Sequence, residues 1–200
     1  MTIVFLVVVV HAEDEIVAER AESRHWNQFR GPNGNGQAIG KGLPIEFSET
    51  KNLRWKTSIH GDGYSSPVIW NNQIWLTTAS YNDRKLFVIC VDLESGVILH
   101  DKEVFDIKES ELQLERPNSH ASPTPVIENG RIYVSFGTYG TACLNTETGQ
   151  KIWERKDLNC FHEVRPGSSP IIDDDLLYLI YDGVDKQFIV ALNKLSLIHI

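Results

Sequence analysis

A unit made of a short apolar strand, a polar turn and an aromatic-bearing strand occurs three times in this chain. A repeat of that kind leaves few folds open. Ser66-Pro67-Val68-Ile69-Trp70-Asn71-Asn72-Gln73-Ile74-Trp75-Leu76 is the first copy. The second runs Thr124-Pro125-Val126-Ile127-Glu128-Asn129-Gly130-Arg131-Ile132-Tyr133-Val134. The third runs Ser169-Pro170-Ile171-Ile172-Asp173-Asp174-Asp175-Leu176-Leu177-Tyr178-Leu179. Asn, Asp and Gly between two apolar runs tolerate the backbone of a tight turn, so each copy predicts a β-hairpin.

A second half follows each hairpin. Cys90-Val91-Asp92-Leu93-Glu94-Ser95-Gly96 matches Cys143-Leu144-Asn145-Thr146-Glu147-Thr148-Gly149, and a third copy opens as Ala191-Leu192-Asn193-Lys194. Asp or Asn at the strand end can close a turn on its own backbone, and the glycine four residues on supplies a positive φ. A returning strand comes next, as in Gln150-Lys151-Ile152-Trp153. Each unit is thus four short strands. Pro67 lies 58 residues before Pro125, and Pro125 lies 45 before Pro170. A four-stranded propeller blade takes roughly 40–45 residues, so the first unit carries a surplus, placed here around Phe105 to Arg116.

Cys90, Cys143 and Ala191 share one repeat position, where a small side chain suits close packing between sheets. Both cysteines are therefore read as small buried hydrophobes. Three cysteines in all make no disulfide framework. Trp153 and the equivalent His100 end their units. Trp55 reads as the same final strand arriving ahead of the first, a device that closes a propeller and hides an open edge.

The pattern Ser-Ser-Pro-Val, Ile-Trp and Asp-x-x-x-Gly resembles the PQQ-like repeat of quinoprotein-type β-propellers. That group includes PQQ-dependent alcohol dehydrogenases and the propeller lipoprotein of the outer-membrane barrel-assembly machinery. Trp26-Asn27-Gln28-Phe29-Arg30-Gly31-Pro32-Asn33-Gly34-Asn35-Gly36 is similar to the opening of large exported bacterial proteins of this type. The resemblance spans residues 26 to 194 and implies an all-β chain, a partial β-propeller of four-stranded antiparallel blades. About three blades are present, and a ring takes about 4–8, so an open sheet face is expected. Residues 13–50 form a lead-in segment and 51–194 the repeats. Leu197 stands where the third turn glycine belongs, and 195–200 read as a truncated or artefactual tail.

Ile3 to Val10 is an unbroken apolar run ahead of His11-Ala12 and acidic Glu13-Asp14-Glu15. It is far short of the roughly 20 residues that span a bilayer. Residues 1–12 fit a secretory signal cleaved after Ala12, although no lysine or arginine precedes the run; a buried first strand is the other reading. Export to the periplasm or the outside of a bacterial cell follows from the first, with no transmembrane segment left after cleavage. The net charge of −8 argues against nucleic acid, because an acidic surface repels phosphates.

In a propeller, the loop leading into each inner strand lies on the ligand-binding face. These loops carry His60 and Asp62, then Arg116, Asn118 and His120, then His162 and Arg165. Convergence of these groups near the axis would suit an anionic ligand. The competing reading is that they bond to neighbouring loops and water. No metal site is assigned, since Cys160-x-His162 lacks the paired spacing of zinc sites. Asp173-Asp174-Asp175 sits at a hairpin turn without a calcium-loop pattern. Gly167-Ser168-Ser169-Pro170 is no hydrolase elbow; its serines recur at Ser65-Ser66, which marks them as architecture.

The reading favoured is a binding or scaffold module without an identifiable catalytic set or cofactor, taking a protein, a glycan or a small anionic ligand. The resemblance also implies a PQQ- and Ca²⁺-dependent dehydrogenase, but adjacent cysteines and a carboxylate set for calcium are not found in the sequence. A propeller joined to a downstream catalytic module is the third option.

Overall fold

A computed structural model of the chain describes residues 25–38, 44–82, 84–107 and 118–195. Within these, the first sheet holds β1 (Val68–Trp70), β2 (Gln73–Ser80), β3 (Lys85–Asp92) and β4 (Ile98–Asp106). The second holds β5 (Val126–Glu128), β6 (Arg131–Ser135), β7 (Thr141–Asn145) and β8 (Lys151–Arg155). The third holds β9 (Ile171–Asp173), β10 (Leu176–Asp182) and β11 (Gln187–Asn193). In each sheet the strands lie side by side in chain order, and every pairing is antiparallel. These are propeller blades, two complete and one with three strands among the described residues. The proposed signal segment, the Lys108–Glu111 stretch, Arg116 and Leu197 lie outside the described residues.

The ladders bear out the repeat alignment residue by residue. Trp75 pairs with Val68 on one side and Cys90 on the other, and Cys90 pairs with His100. Tyr133 likewise joins Val126 to Cys143, which pairs with Trp153; Tyr178 joins Ile171 to Ala191. The large–small alternation along each row lets one sheet nest against the next. Cys90 and Cys143 are fully buried, and burial pushes both thiols up to about 12, so they remain neutral packing groups. The row starting at Val68 and Trp75 faces Ile127, Ile132 and Leu144 of the second sheet. The row starting at Val126 and Tyr133 faces Leu177, Val190 and Leu192 of the third. The corresponding row of the third sheet has no covering sheet among the described residues, and Ile189 there is 69% exposed.

Two repeating contacts set the step between blades. The first latches the end of one unit onto the turn of the next. Asp92 Oδ1 accepts the Glu94 and Ser95 amides at 3.1 and 2.7 Å, and Asn145 Oδ1 accepts those of Glu147 and Thr148 at 2.9 and 2.8 Å. Gly96 and Gly149 then turn the chain at φ +74° and +67°. A Cβ on Gly96 would lie 2.6 Å from the Trp55 ring, and one on Gly149 2.9 Å from His100. The indole of Trp55 donates to the Leu93 carbonyl at 3.0 Å, and that of Trp153 to the repeat-equivalent Lys194 carbonyl at 3.1 Å. In the middle copy His100 replaces the indole. There Gln73 donates to the equivalent Thr146 carbonyl at 2.9 Å. Trp55 thus fills the final-strand position expected of it, although its segment forms no ladder.

The second contact explains the recurring hydroxyl before each proline. The Ser66 amide donates to Thr124 Oγ1, and the Thr124 amide donates to Ser169 Oγ, both at 3.0 Å. Each blade thereby satisfies a backbone donor of the one before it. The lead-in segment adds a third thread: Trp26 exchanges two 2.8 Å backbone bonds with Ile69, and Asn27 accepts the Ile127 amide at 2.9 Å. It runs along the free edge of the innermost strand β1, where an unpaired ladder would otherwise face water.

One expectation needs correcting. The surplus of the first unit does not begin at Phe105, because β4 continues through Asp106. Phe105 is buried edge-on to Phe136, with Lys151 and Lys156 over its ring. Part of the surplus is strand length: β2, β3 and β4 have 8, 8 and 9 residues, against 5 in each of β6, β7 and β8.

The latch makes a stability prediction. Trp153→Ala removes half-buried ring surface and a hydrogen bond, so unfolding should cost about 2–4 kcal/mol less. Trp153→Phe keeps most of the packing and should lose about 1 kcal/mol. Urea unfolding measures both, and two variants as stable as the parent would refute the latch.

Candidate functional site

The loop following β2 begins at Tyr81, and this residue, not singled out in the sequence, organises the approach loops. Its hydroxyl accepts the His120 amide at 3.3 Å and Arg165 Nη1 at 2.9 Å. His120 Nδ1 lies 3.3 Å from the same oxygen. The Arg165 guanidinium packs 4.8 Å over the Tyr81 ring and donates to the Asn118 carbonyl at 2.7 Å. Asn118 in turn donates to the Pro166 carbonyl at 3.2 Å and bonds Ser122. Arg165 is held at φ +68°, a left-handed conformation that survives only where surroundings over-determine it. The second and third approach loops and the loop after β2 are thus tied together through one phenol oxygen and one guanidinium.

Burial decides what this cluster can do. His120 is 2% exposed, edge-on to Tyr139. Desolvation, then the Arg165 charge, pushes its imidazole down to about 3. A neutral imidazole beside a fixed cation is poorly placed to carry protons near neutrality. Asn118, His120 and Arg165 act as braces.

His162 lies beside them in a second cluster. Its Nε2 is 3.4 Å from Cys160 Sγ and its Nδ1 is 3.2 Å from Asp182 Oδ1. Thiol, imidazole and carboxylate stand in the order of a nucleophile and its base. Burial raises the Cys160 thiol, however, and lowers His162 against the opposing pull of Asp182, so the proton stays on sulfur.

The structure does not bring His60 to the others. The first approach loop lies alongside β2, where Asp62 and Ala79 exchange backbone bonds at 2.9 and 2.8 Å and Thr78 donates to the His60 carbonyl at 2.6 Å. From there the imidazole crosses the sheet face, meets Phe87 edge-on and ends 2.9 Å from Asp101 on the outermost strand β4. Asp62 contributes its carbonyl, which accepts Ser119 Oγ at 3.1 Å. Arg116 lies outside the described residues.

What remains open is a cavity of about 410 Å³ between the lead-in segment and the inner end of the third blade, lined among others by Phe29, Arg30, Tyr64, Ser168 and Ile171. Sequence reasoning missed it, because its walls come from segments far apart in the chain. The glycine-rich run at Gly31 to Gly36 was the available signal.

With the architecture and loop geometry established, comparison with known proteins is informative. The family described as Outer membrane protein assembly factor BamB matches residues 78–194, more than half of the chain. The chain belongs to this family of PQQ-like-repeat propellers. Among solved structures, a europium-containing methanol dehydrogenase superposes with a TM-score of 0.66 at 14% identity, over 93% of this chain and 33% of its own. Quinohemoprotein alcohol dehydrogenase from Comamonas testosteroni gives 0.64 at 14% identity, over 93% and 28%. BamB from Moraxella catarrhalis gives 0.50 at 15% identity, over 73% and 41%. The chain spans between about a quarter and two fifths of these proteins, and at such identities the likeness is one of fold. No curated protein matches by sequence. No helix among the described residues of this BamB-family chain is long and apolar enough to cross a membrane.

The buried imidazole gives a pH dependence. The unfolded chain takes up a proton on His120 below its ordinary value of 6.5, while the folded chain resists to about 3. Stability contributed by the neutral ring is therefore present above 6.5 and declines as pH falls towards 3, by at most about 1.4 kcal/mol per unit. His120→Gln should flatten the slope of unfolding free energy between pH 6.5 and 4.5 relative to the parent. Parallel slopes would show that the ring is protonated when folded.

Proposed function

We propose that this chain is an exported binding module whose blades hold a braced loop face for contact with another protein. The observation that carries this reading is the Tyr81–Arg165–Asn118 tie. It engages polar groups of the second and third approach loops internally, while the tip of the third loop stays exposed. Phe161 and Val164 on that tip are 50% and 51% exposed, with exposed Glu163 between them. The base of the tip is fixed by the Phe161 amide, which donates to Asp185 Oδ1 at 2.6 Å. Apolar side chains on a preordered loop suit a protein interface, because little ordering entropy is lost on contact. The outer-membrane assembly description of the family and the apolar run Ile3 to Val10 support export and a protein partner over a glycan.

A PQQ- and Ca²⁺-dependent dehydrogenase is the second reading, motivated by the likeness to two alcohol-oxidising enzymes. The described residues fit it poorly. No three His, Cys, Asp or Glu side chains among them gather where one cation could be held. Catalysis by a module further along the polypeptide is compatible with either reading.

Affinity capture with the full-length protein separates these readings. Phe161→Ser with Val164→Ser should reduce recovery of the captured partner at least tenfold while leaving the melting temperature within about 2 °C. Undiminished capture by the double variant would refute the loop-face reading. Alcohol-dependent dye reduction after addition of PQQ and Ca²⁺ would favour the dehydrogenase.

A further inference from the structure

We propose that the cavity beside the lead-in segment is a binding site for a carboxylate attached to an apolar group, with Arg30 as the anion-holding side chain. The site is independent of the Phe161–Val164 loop tip, so either can fail without the other.

The lead-in segment is built to present Arg30. Gly31 turns at φ +78° directly under the Trp26 ring, where a Cβ would come within 2.6 Å of the indole. Backbone bonds from Gly31 to the Gln28 carbonyl, Gly34 to Gly31 and Gly36 to Arg30, at 3.0, 3.0 and 2.8 Å, wind the run into a compact loop. Arg30 itself sits at φ +63°, a conformation unfavourable for any residue with a Cβ. Its guanidinium lies over Gly36, with Nε 3.6 Å from a Cβ built there. Such strain points to a role for the side chain rather than for the backbone, which glycine would serve better.

Among the described residues, Arg30 has no ion-pair partner, in a chain whose net charge is −8. Arg165, by contrast, is committed to Tyr81 and Asn118. Ser122, Ser168 and Ser169 line the same cavity as Arg30. Ser169 Oγ already accepts the Thr124 amide, which leaves its O–H to donate elsewhere. A guanidinium fork and hydroxyl donors lining one cavity supply the groups that bind the two oxygens of a carboxylate. The remaining wall is apolar: Phe29 and Tyr64 expose their rings, and Ile171 and Ile180 line the side next to β9 and β10. A fully hydrophilic anion would leave this wall unused. The cavity, about 410 Å³, falls within the roughly 300–1,000 Å³ of small-ligand sites. Two sources supply this chemistry, the free C-terminus of a polypeptide ending in an apolar residue and a small free acid.

Calorimetric titration of the full-length protein with acetyl-Leu-Phe, with its C-terminal amide and with 3-phenylpropionate tests the proposal. The dipeptide acid should bind at least tenfold more tightly than its amide. Arg30→Gly, which relieves the positive φ, should weaken the acid at least tenfold while the melting temperature holds or rises; Arg30→Lys should retain part of the affinity. Acid tighter than phenylpropionate by tenfold or more indicates a polypeptide end, and equal affinity a small acid. Equal binding of acid and amide, no acid binding at millimolar concentration, or unchanged affinity in Arg30→Gly would overturn the assignment.

Discussion

Among the described residues, the first and second sheets each depend on the next one, because each carries an apolar row that the following sheet covers. The step between sheets is set by a side chain from the end of one unit lying on the turn of the following unit. That contact needs a glycine at the turn, since Trp55 on Gly96 and His100 on Gly149 leave no space for a Cβ. It also needs a donor for the exposed turn carbonyl. Trp55 and Trp153 supply it from the indole, and Gln73 supplies it where His100 cannot. Loss of the donor at one copy and its recovery from a different strand shows that the satisfied carbonyl, more than the tryptophan, is the constraint.

The packing consequences reach the candidate site. Blades held at a fixed step bring Tyr81, from the loop after β2, and Asn118, from the second approach loop, within hydrogen-bond distance of Arg165 on the third. The same step places the lead-in loop opposite Ser168 and Ser169 across a cavity. Arg165 spends its Nη1 donor, and Tyr81 its hydroxyl, on bracing these loops to one another.

Much of the fold was legible in the residues because its determinants are local and recur. Proline landmarks and Asx turns recur in each copy, and the first two add a turn glycine four residues after the Asx, so the row Trp75, Cys90, His100 aligns with Tyr133, Cys143, Trp153 from sequence alone. The site was far less legible. Polar loop residues look alike whether they face a ligand or a neighbouring loop, and only geometry shows that His120 is buried neutral while His60 turns away to Asp101. Tyr81 carried no repeat signal, since the loop after β2 differs among the copies. Arg30 was visible only as part of a glycine-rich run, while the cavity wall it shares includes Ser168 and Ser169, far away in sequence.

Amide hydrogen exchange at Ser66 and Thr124 tests the coupling of blades most directly. Both residues precede a proline in irregular chain and have no ladder partner, so protection can come only from the hydroxyl of the next blade. Slow exchange comparable to Ile69, with protection at Ser66 lost in Thr124→Val and at Thr124 lost in Ser169→Ala, is the predicted result. Exchange of both amides at the rate of open loops in the parent protein would contradict a propeller built on this inter-blade step.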